Sequence, residues 1–369
     1  MLLGSLTVIV LLAAAPKPAK LSPTHQALRD QCLVWAADPK NPWAMAHGIT
    51  GLGPSFLAAD GRRADKVMVH DFLLRGRVPD AGVEKTLFGF AKYAPDKTPI
   101  EPHTNLITKT LLKAGLPLST RYDTSWGASL TLGELVRSVA RSYRHVPTSE
   151  PYWRDVGWTL DVLTATTKPG GSIATDEGPV PIDQVMDDAL TALEAATGEL
   201  KAGMNKGLPQ VDKRKQGIYA HPCGGLHFVQ AVLGWAANSS VRKRWGTRVD
   251  KQIDILFYRL GSEGKQYDAA RQQLPQYKVE LLTQQVKFYG HFLETTARLK
   301  TDLGWKPNEL QLRHINSAKA SLDATVRELL ELKLFEAASM SALKISKPQV
   351  SLDLIGDSCH ATHGLDGWQ

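Results

Sequence analysis

Apolar residues in this chain recur at intervals of three and four over most of its length, and convincing two-residue alternation is scarce. That periodicity restricts the fold to packed helices, because it places one apolar stripe per helix and no apolar sheet face. Ala27, Leu28, Cys32 and Ala36 share one such stripe, and Leu132, Leu135, Val136 and Ala140 share another. Between Pro181 and Gly198, Val185, Ala189, Leu190 and Leu193 form the apolar side of a third helix, opposite Asp183, Asp187 and Asp188. Two long segments follow near the C-terminus. One runs from about residue 276 to 303, with Leu282, Val286, Tyr289, Leu293 and Ala297 in line. The next is capped by Asn308 and runs to about 338; the breaker Gly304-Trp305-Lys306-Pro307 should fold the two back as an antiparallel pair. The pattern predicts an all-α fold of about ten to twelve helices, stacked as an α/α toroid or an irregular helical solenoid. The longer non-helical stretches fall near 76–102, 168–182 and 203–219.

Residues 1–15 read as a signal segment: Leu2 to Ala15 is an uncharged apolar run ending in small alanines. It falls short of the about 20 residues of a comfortable membrane span. The expected location is therefore periplasmic or secreted, with an N-terminal membrane anchor as the alternative. Residues 16–23 follow as an extended linker, and 24–369 as the helical domain. With 43% hydrophobic and 22% charged residues, the domain has the composition of a globular protein. The net charge of +7 includes two short basic runs, Lys213–Lys215 and Arg242–Arg248, without the interleaved aromatics of a nucleic-acid surface. An anionic polysaccharide or a peptide is the expected partner. Walker, dinucleotide-binding, HExxH, GxSxG and CxxCH motifs are all missing from the sequence.

Three small-residue stretches carry histidines: WAMAHGITGLG, IYAHPCGGLHFVQAV and DSCHATHGLDGW. Placed at one end of a stacked helical array, they would gather His47, His221, Cys223, Cys359, His360 and His363 at one pole. Cys223 and His227 are four apart, as are Cys359 and His363, so each pair would share a helical face. Thiolate and imidazole are natural zinc ligands. The three cysteines leave alternatives open: a Cys223–Cys359 disulfide in a non-catalytic binding or scaffold protein, a metal site, or buried thiols. Cys32 lies on an apolar face and reads as core.

AMAHGITG at residues 44–51, with Cys223 followed later by the adjacent Cys359-His360, resembles the lanthionine synthetase C family of zinc proteins. The resemblance implies an α/α toroid with Cys223, Cys359 and His360 as zinc ligands and His47 as the acid/base residue.

A second candidate region is rich in aromatic and charged groups, RYDTSWG and YRHVPTSEPYWRDVGWTLD. Aromatic rings beside carboxylates and arginines suit sugar rings. A polysaccharide lyase would use Tyr143 or His145 as base and Arg144 against a uronate carboxylate, with Trp153 and Asp155 binding. A hydrolase would pair Asp123 with Asp155 or Asp161.

Overall fold

A helix that is apolar on every face must lie inside other helices, whereas one with a single apolar stripe lies outside them. Both kinds are present here. The computed structural model describes residues 21–80 and 83–369; the expected signal segment and most of the expected linker lie outside the described residues. In chain order the elements are α1 (Pro23–Trp35), α2 (Pro42–Leu52), α3 (Ala64–Phe72), the hairpin β1 (Leu73–Asp80) and β2 (Val83–Phe90), and α4 (Leu106–Lys113). A hairpin of β3 (Arg121–Asp123) and β4 (Ser129–Thr131) leads to α5 (Leu132–Ser142), α6 (Glu150–Asp155) and α7 (Gly157–Thr166). The hairpin β5 (Ser172–Thr175) and β6 (Gly178–Pro181) precedes α8 (Ile182–Ala196), α9 (Gly198–Asn205), α10 (Leu226–Trp235) and α11 (Ser239–Trp245). The long helices α12 (Thr247–Gln273), α13 (Lys278–Leu303) and α14 (Glu309–Glu331) are followed by α15 (Ala337–Ser346) and α16 (Pro348–Asp366).

Six helices close a ring, each packing on the next in the order α2, α4, α7, α10, α13, α16 and back to α2. The remaining long helices lie outside it: α1 over α16 and α2, α5 over α4 and α7, α8 over α10, and α14 over α13. The fold is all-α, a closed toroid with three two-stranded hairpins as excursions. The described residues contain sixteen α-helices, more than the ten to twelve expected. The difference is one of division. Lys333 takes a left-handed conformation, φ 57°, after α14, so the expected run to 338 splits into α14 and α15. The caps read from sequence are in place: Asn308 and Gln311 form a reciprocal capping box, and Gly304 closes α13 in the left-handed region.

Two cavities fix the direction of the ring helices. One is lined by early residues: Trp43 and His47 of α2, Leu106 of α4, Trp158 of α7, His227 of α10, Lys287 of α13 and Asp353 of α16. The other is lined by late residues of several of the same helices: Gly51 and Leu52 of α2, Lys109 and Lys113 of α4, Arg298 of α13, and His363 and Asp366 of α16. The ring helices therefore run the same way, from an upper chamber of about 290 Å³ to a lower chamber of about 510 Å³. Between the chambers the axis is filled by polar side chains.

The tightest contact in the ring is α13 against α16. A Cβ on Gly290 would come within 3.0 Å of the Ala361 backbone, and one on Gly364 within 2.6 Å of the Glu294 nitrogen. Only glycine allows this approach, and it brings the polar groups of both helices together on the axis. Behind α16, Cys359 forms a disulfide with Cys32 of α1 across 327 residues of sequence. This corrects two expectations. Cys359 is neither the partner of Cys223 nor a metal ligand, and Cys32 is not a core thiol. Adjacent residues on a helix project to different faces, so Cys359 reaches outward to α1 while His360 faces the axis.

Candidate metal centre on the ring axis

Cys223 precedes α10 in a turn of three consecutive left-handed residues, Cys223 (φ 50°), Gly224 (φ 59°) and Gly225 (φ 76°). A Cβ on Gly225 would lie 2.4 Å from Ile218, so the turn needs glycine for space as well as conformation. Cys223 was expected to share a helical face with His227; instead it stands outside the helix. The turn nevertheless carries its thiol toward the axis. The Cys223 Sγ and one nitrogen each of His227 and His291 lie within 4.8 Å of one another. Ligand atoms of His291, Glu294 and His360 form a second such group, sharing His291.

The imidazoles form a continuous cluster. His291 and His360 lie 4.1 Å apart between ring centroids, His227 and His291 4.8 Å, His227 and His360 5.1 Å, and His47 and His360 5.0 Å. All of these rings except His47 are at most 4% exposed. Among the described residues, His227 Nδ1, His291 Nε2 and both nitrogens of His360 have no hydrogen-bond partner. Two of these nitrogens are close to carboxylate oxygens, His291 Nε2 3.3 Å from Asp357 and His360 Nδ1 3.0 Å from Glu294, but misaligned for a hydrogen bond. His291 Nδ1 lies 3.3 Å from Glu294 Oε2, within hydrogen-bonding geometry.

Burial, reinforced by the neighbouring imidazoles, holds His227 and His47 well below the usual histidine range. Burial also lowers His360 to about 4, against the opposing pull of Glu294. These three are neutral rings with a free lone pair at neutral pH. His291 differs: burial disfavours its charge, but Cys223 and Asp357 outweigh burial and hold it well above the usual value. Glu294, despite burial, is held low by His360 and His291.

The upper chamber opens onto this cluster. His47 donates through Nδ1 to the Trp43 carbonyl at 2.7 Å, which leaves Nε2 as the acceptor. Trp158 stacks on His103, at 4.2 Å and 2° between planes, and its buried indole N–H has no partner. Lys287 bridges Asp353 at 2.9 Å and Asp357 at 3.7 Å. Burial and the Asp357 charge raise Asp353.

Of the residues expected to form one pole, the structure brings together His47, Cys223 and His360. His221 instead stacks on Phe228 and lines a separate surface cleft, and His363 lines the lower chamber. His291, Glu294, Asp353, Asp357 and Lys287 were missed. The available signal was polarity inside an apolar helix: His291 and Glu294 stand three apart in a stretch of α13 that is buried on all sides.

The second candidate region also assembles in part. Tyr143, Arg144 and Asp155 line one cleft of about 440 Å³ together with Tyr152. Tyr143 Oη is 2.5 Å from Tyr152 Oη and 3.2 Å from His145 Nδ1, and His145 Nε2 is 2.8 Å from Asp188. Trp153 donates to the Pro147 carbonyl, Arg144 pairs with Glu177, and Asp155 accepts from Thr104 at 2.6 Å. Of the carboxylates expected for a hydrolase, only Asp155 lines this cleft. Asp123 is exposed in β3, and Asp161 is buried near the axis, paired with Arg298 at 3.0 Å and Lys113 at 3.2 Å.

No family model matches the chain, and no curated protein or solved structure does either.

Proposed function

We propose that this protein is an exported zinc-dependent hydrolase whose ligands are Cys223, His227 and His291. The observation that carries the proposal is the convergence of one thiol and two imidazole nitrogens at a point where buried nitrogens have no hydrogen-bond partner. A buried polar atom without a partner costs about 1–3 kcal/mol, so several in one place call for a shared ligand. Zinc bonds of about 2.0–2.3 Å would draw the three atoms inward by less than a side-chain rotamer change. Three protein ligands leave a fourth position, and metal bound there would lower the pKa of a coordinated water.

The chain's own groups complete the arrangement. Glu294 orients His291 through Nδ1, as carboxylates beside metal-bound imidazoles do. His47 Nε2, held as an acceptor, takes a proton from the reacting centre. Trp43 and Trp158 wall the chamber, and Asp353, Asp357 and Lys287 supply polar contacts at its side. The volume of about 290 Å³ suits a single sugar ring or a short peptide segment. The lanthionine synthetase C-like resemblance supports the pairing of zinc with a toroid, but its ligand set is replaced here because Cys359 is held in a disulfide.

A second reading of the same atoms is a cysteine nucleophile, with Cys223 as thiolate, His291 as its imidazolium partner and Asp357 orienting the ring. The upward shift of His291 favours it. Elemental analysis and alkylation separate the two. The zinc reading expects one zinc per chain, lost in Cys223→Ser and His227→Ala, and a Cys223 that resists iodoacetamide until zinc is chelated. Metal-free protein whose Cys223 alkylates rapidly would sink it in favour of the nucleophile.

A further inference from the structure

The lower chamber holds a cation that the proposed centre does not use. Lys109 projects from α4, is 5% exposed and lines the chamber, yet has no side-chain hydrogen bond and no ion pair among the described residues. The other cations on the chamber wall are matched: Arg29 with Asp366, Lys113 with Asp161, and Arg298 with Asp161 and Asp302. The acidic groups of the wall are committed too. Asp366 takes His25 and Arg29, Asp302 takes Arg298, and Glu294 takes the axial imidazoles. Next to Lys109, Thr110 lines the same wall, and its buried hydroxyl has no hydrogen-bond partner among the described residues.

A buried ammonium needs acceptors for its three protons. The usual reason for cations at the C-terminal ends of helices is the backbone carbonyls there; it accounts for Lys113, in the last turn of α4. It does not account for Lys109, which sits a turn earlier and bonds no carbonyl. Two buried carboxylates, Asp161 and Glu294, lie near Lys109; Asp161 is paired with Lys113 and Arg298, and Glu294 with the axial imidazoles. Burial lowers Lys109, and Asp161 and Glu294 only partly oppose it. An incoming oxygen anion would therefore meet one ammonium without an ion-pair partner and one hydroxyl without a hydrogen-bond partner among the described residues.

We propose that the lower chamber is a binding site for a small oxyanion, a carboxylate or a phosphate, held by Lys109 and Thr110. The site lies below the proposed zinc centre and shares the Glu294 side chain with it, but none of its proposed ligands. It is tested by thermal unfolding of the purified full chain in sodium phosphate and, separately, sodium acetate, each against sodium chloride at constant ionic strength. The expected result is a rise in Tm of about 2–4 °C at saturation with one of the two anions. Phosphate alone or acetate alone identifies which oxyanion the site takes. The rise should vanish in Lys109→Met, shrink in Thr110→Val and persist in Cys223→Ser, which removes the zinc centre and leaves this chamber intact. Removing an unpaired buried charge should leave Lys109→Met at least as stable as the parent; should it fail to fold, Thr110→Val decides alone. Equal Tm in all three salts, or an anion effect unchanged by Thr110→Val and Lys109→Met, overturns the proposal.

Discussion

The ring axis and the Tyr143 cleft contain similar kinds of side chain, histidines, aromatic rings and carboxylates, the axis being the deeper of the two. They differ in how many of those groups are satisfied. In the cleft, Tyr143, Tyr152, His145 and Asp188 form an unbroken hydrogen-bonded row, and Trp153 has its carbonyl. On the axis and the chamber wall below it, His227, His291, His360, Asp357, Trp158 and Thr110 all keep buried polar atoms without a hydrogen bond among the described residues. A completed network holds a fold together; an incomplete one, in an otherwise well-packed ring, is arranged for something that arrives later. Residue type alone does not separate the two regions, whereas hydrogen-bond accounting does.

The largest way to break the comparison is to remove what holds the axis in place. The Cys32–Cys359 disulfide fixes α16, and with it His360 and Asp357, to α1; the cleft has no such tie. Closing so long a loop contributes roughly 3–5 kcal/mol. The Cys32→Ser, Cys359→Ser double variant should lose about that much in denaturant unfolding, and its zinc content should fall while the cleft's tyrosine environment is preserved. Unchanged stability would mean that α16 is held by the glycine-mediated packing on α13 alone.

Glu101 lies at the seam, because it caps the helix that carries Lys109 on one side and begins beside the cleft on the other. It is buried and accepts from the Ile107 N–H at 2.8 Å. Burial raises it to about 8 from an ordinary value of 4.5. The folded chain therefore holds this proton where the unfolded chain has released it. The associated stability is fully present below about pH 4.5 and is lost as pH rises through 8. Glu101→Gln keeps an acceptor and removes the titration, so it should flatten that part of the stability profile, by roughly 2–4 kcal/mol at pH 8. Superimposable profiles would contradict the assignment.

How much of this was legible in the sequence follows the same division. The stripes of α1, α5, α8 and α14 are faces of outer helices, and their periodicity is plain. Ring closure also had a signal, in the histidine-bearing small-residue stretches now found on α2, α10 and α16. Cysteine pairing was not legible. Cys32 looked like core because its neighbours on the stripe are apolar, and the disulfide depends on α1 crossing α16, a contact between the two ends of the described chain. His291 and Glu294 were hidden for the opposite reason. In a helix buried on every side, polar residues no longer mark a solvent face, so the stripe through Leu282, Val286 and Leu293 conceals the groups beside it.

A smaller effect tests whether Glu294 belongs to the axis centre or only to packing. Glu294→Gln preserves shape and still accepts from Gln230, which lies 3.2 Å away, but it removes the charge facing His291 and His360. A carboxylate that orients a metal-bound imidazole is worth about 10–100-fold in metal affinity. Competition with a chelator should show a loss of that size with little change in Tm. Unaltered zinc affinity would leave Glu294 as a structural partner.

Tyr143→Phe should have the smallest effect, and its value lies in that smallness. The hydroxyl is one link in the row from Asp188 through His145 to Tyr152, and burial keeps the Tyr143 proton in place by raising its pKa. Deleting it leaves His145 Nδ1 and Tyr152 Oη 3.4 Å apart, still able to meet directly, so the row closes over the gap. The expected cost is about 1 kcal/mol of stability, read from denaturant unfolding, with zinc content and the oxyanion effect at the lower chamber unchanged. Should Tyr143→Phe instead abolish turnover of an anionic polysaccharide while Cys223→Ser leaves it intact, the comparison reverses. The completed network would then be the reacting one, with Tyr143 as its base and Arg144 meeting the uronate.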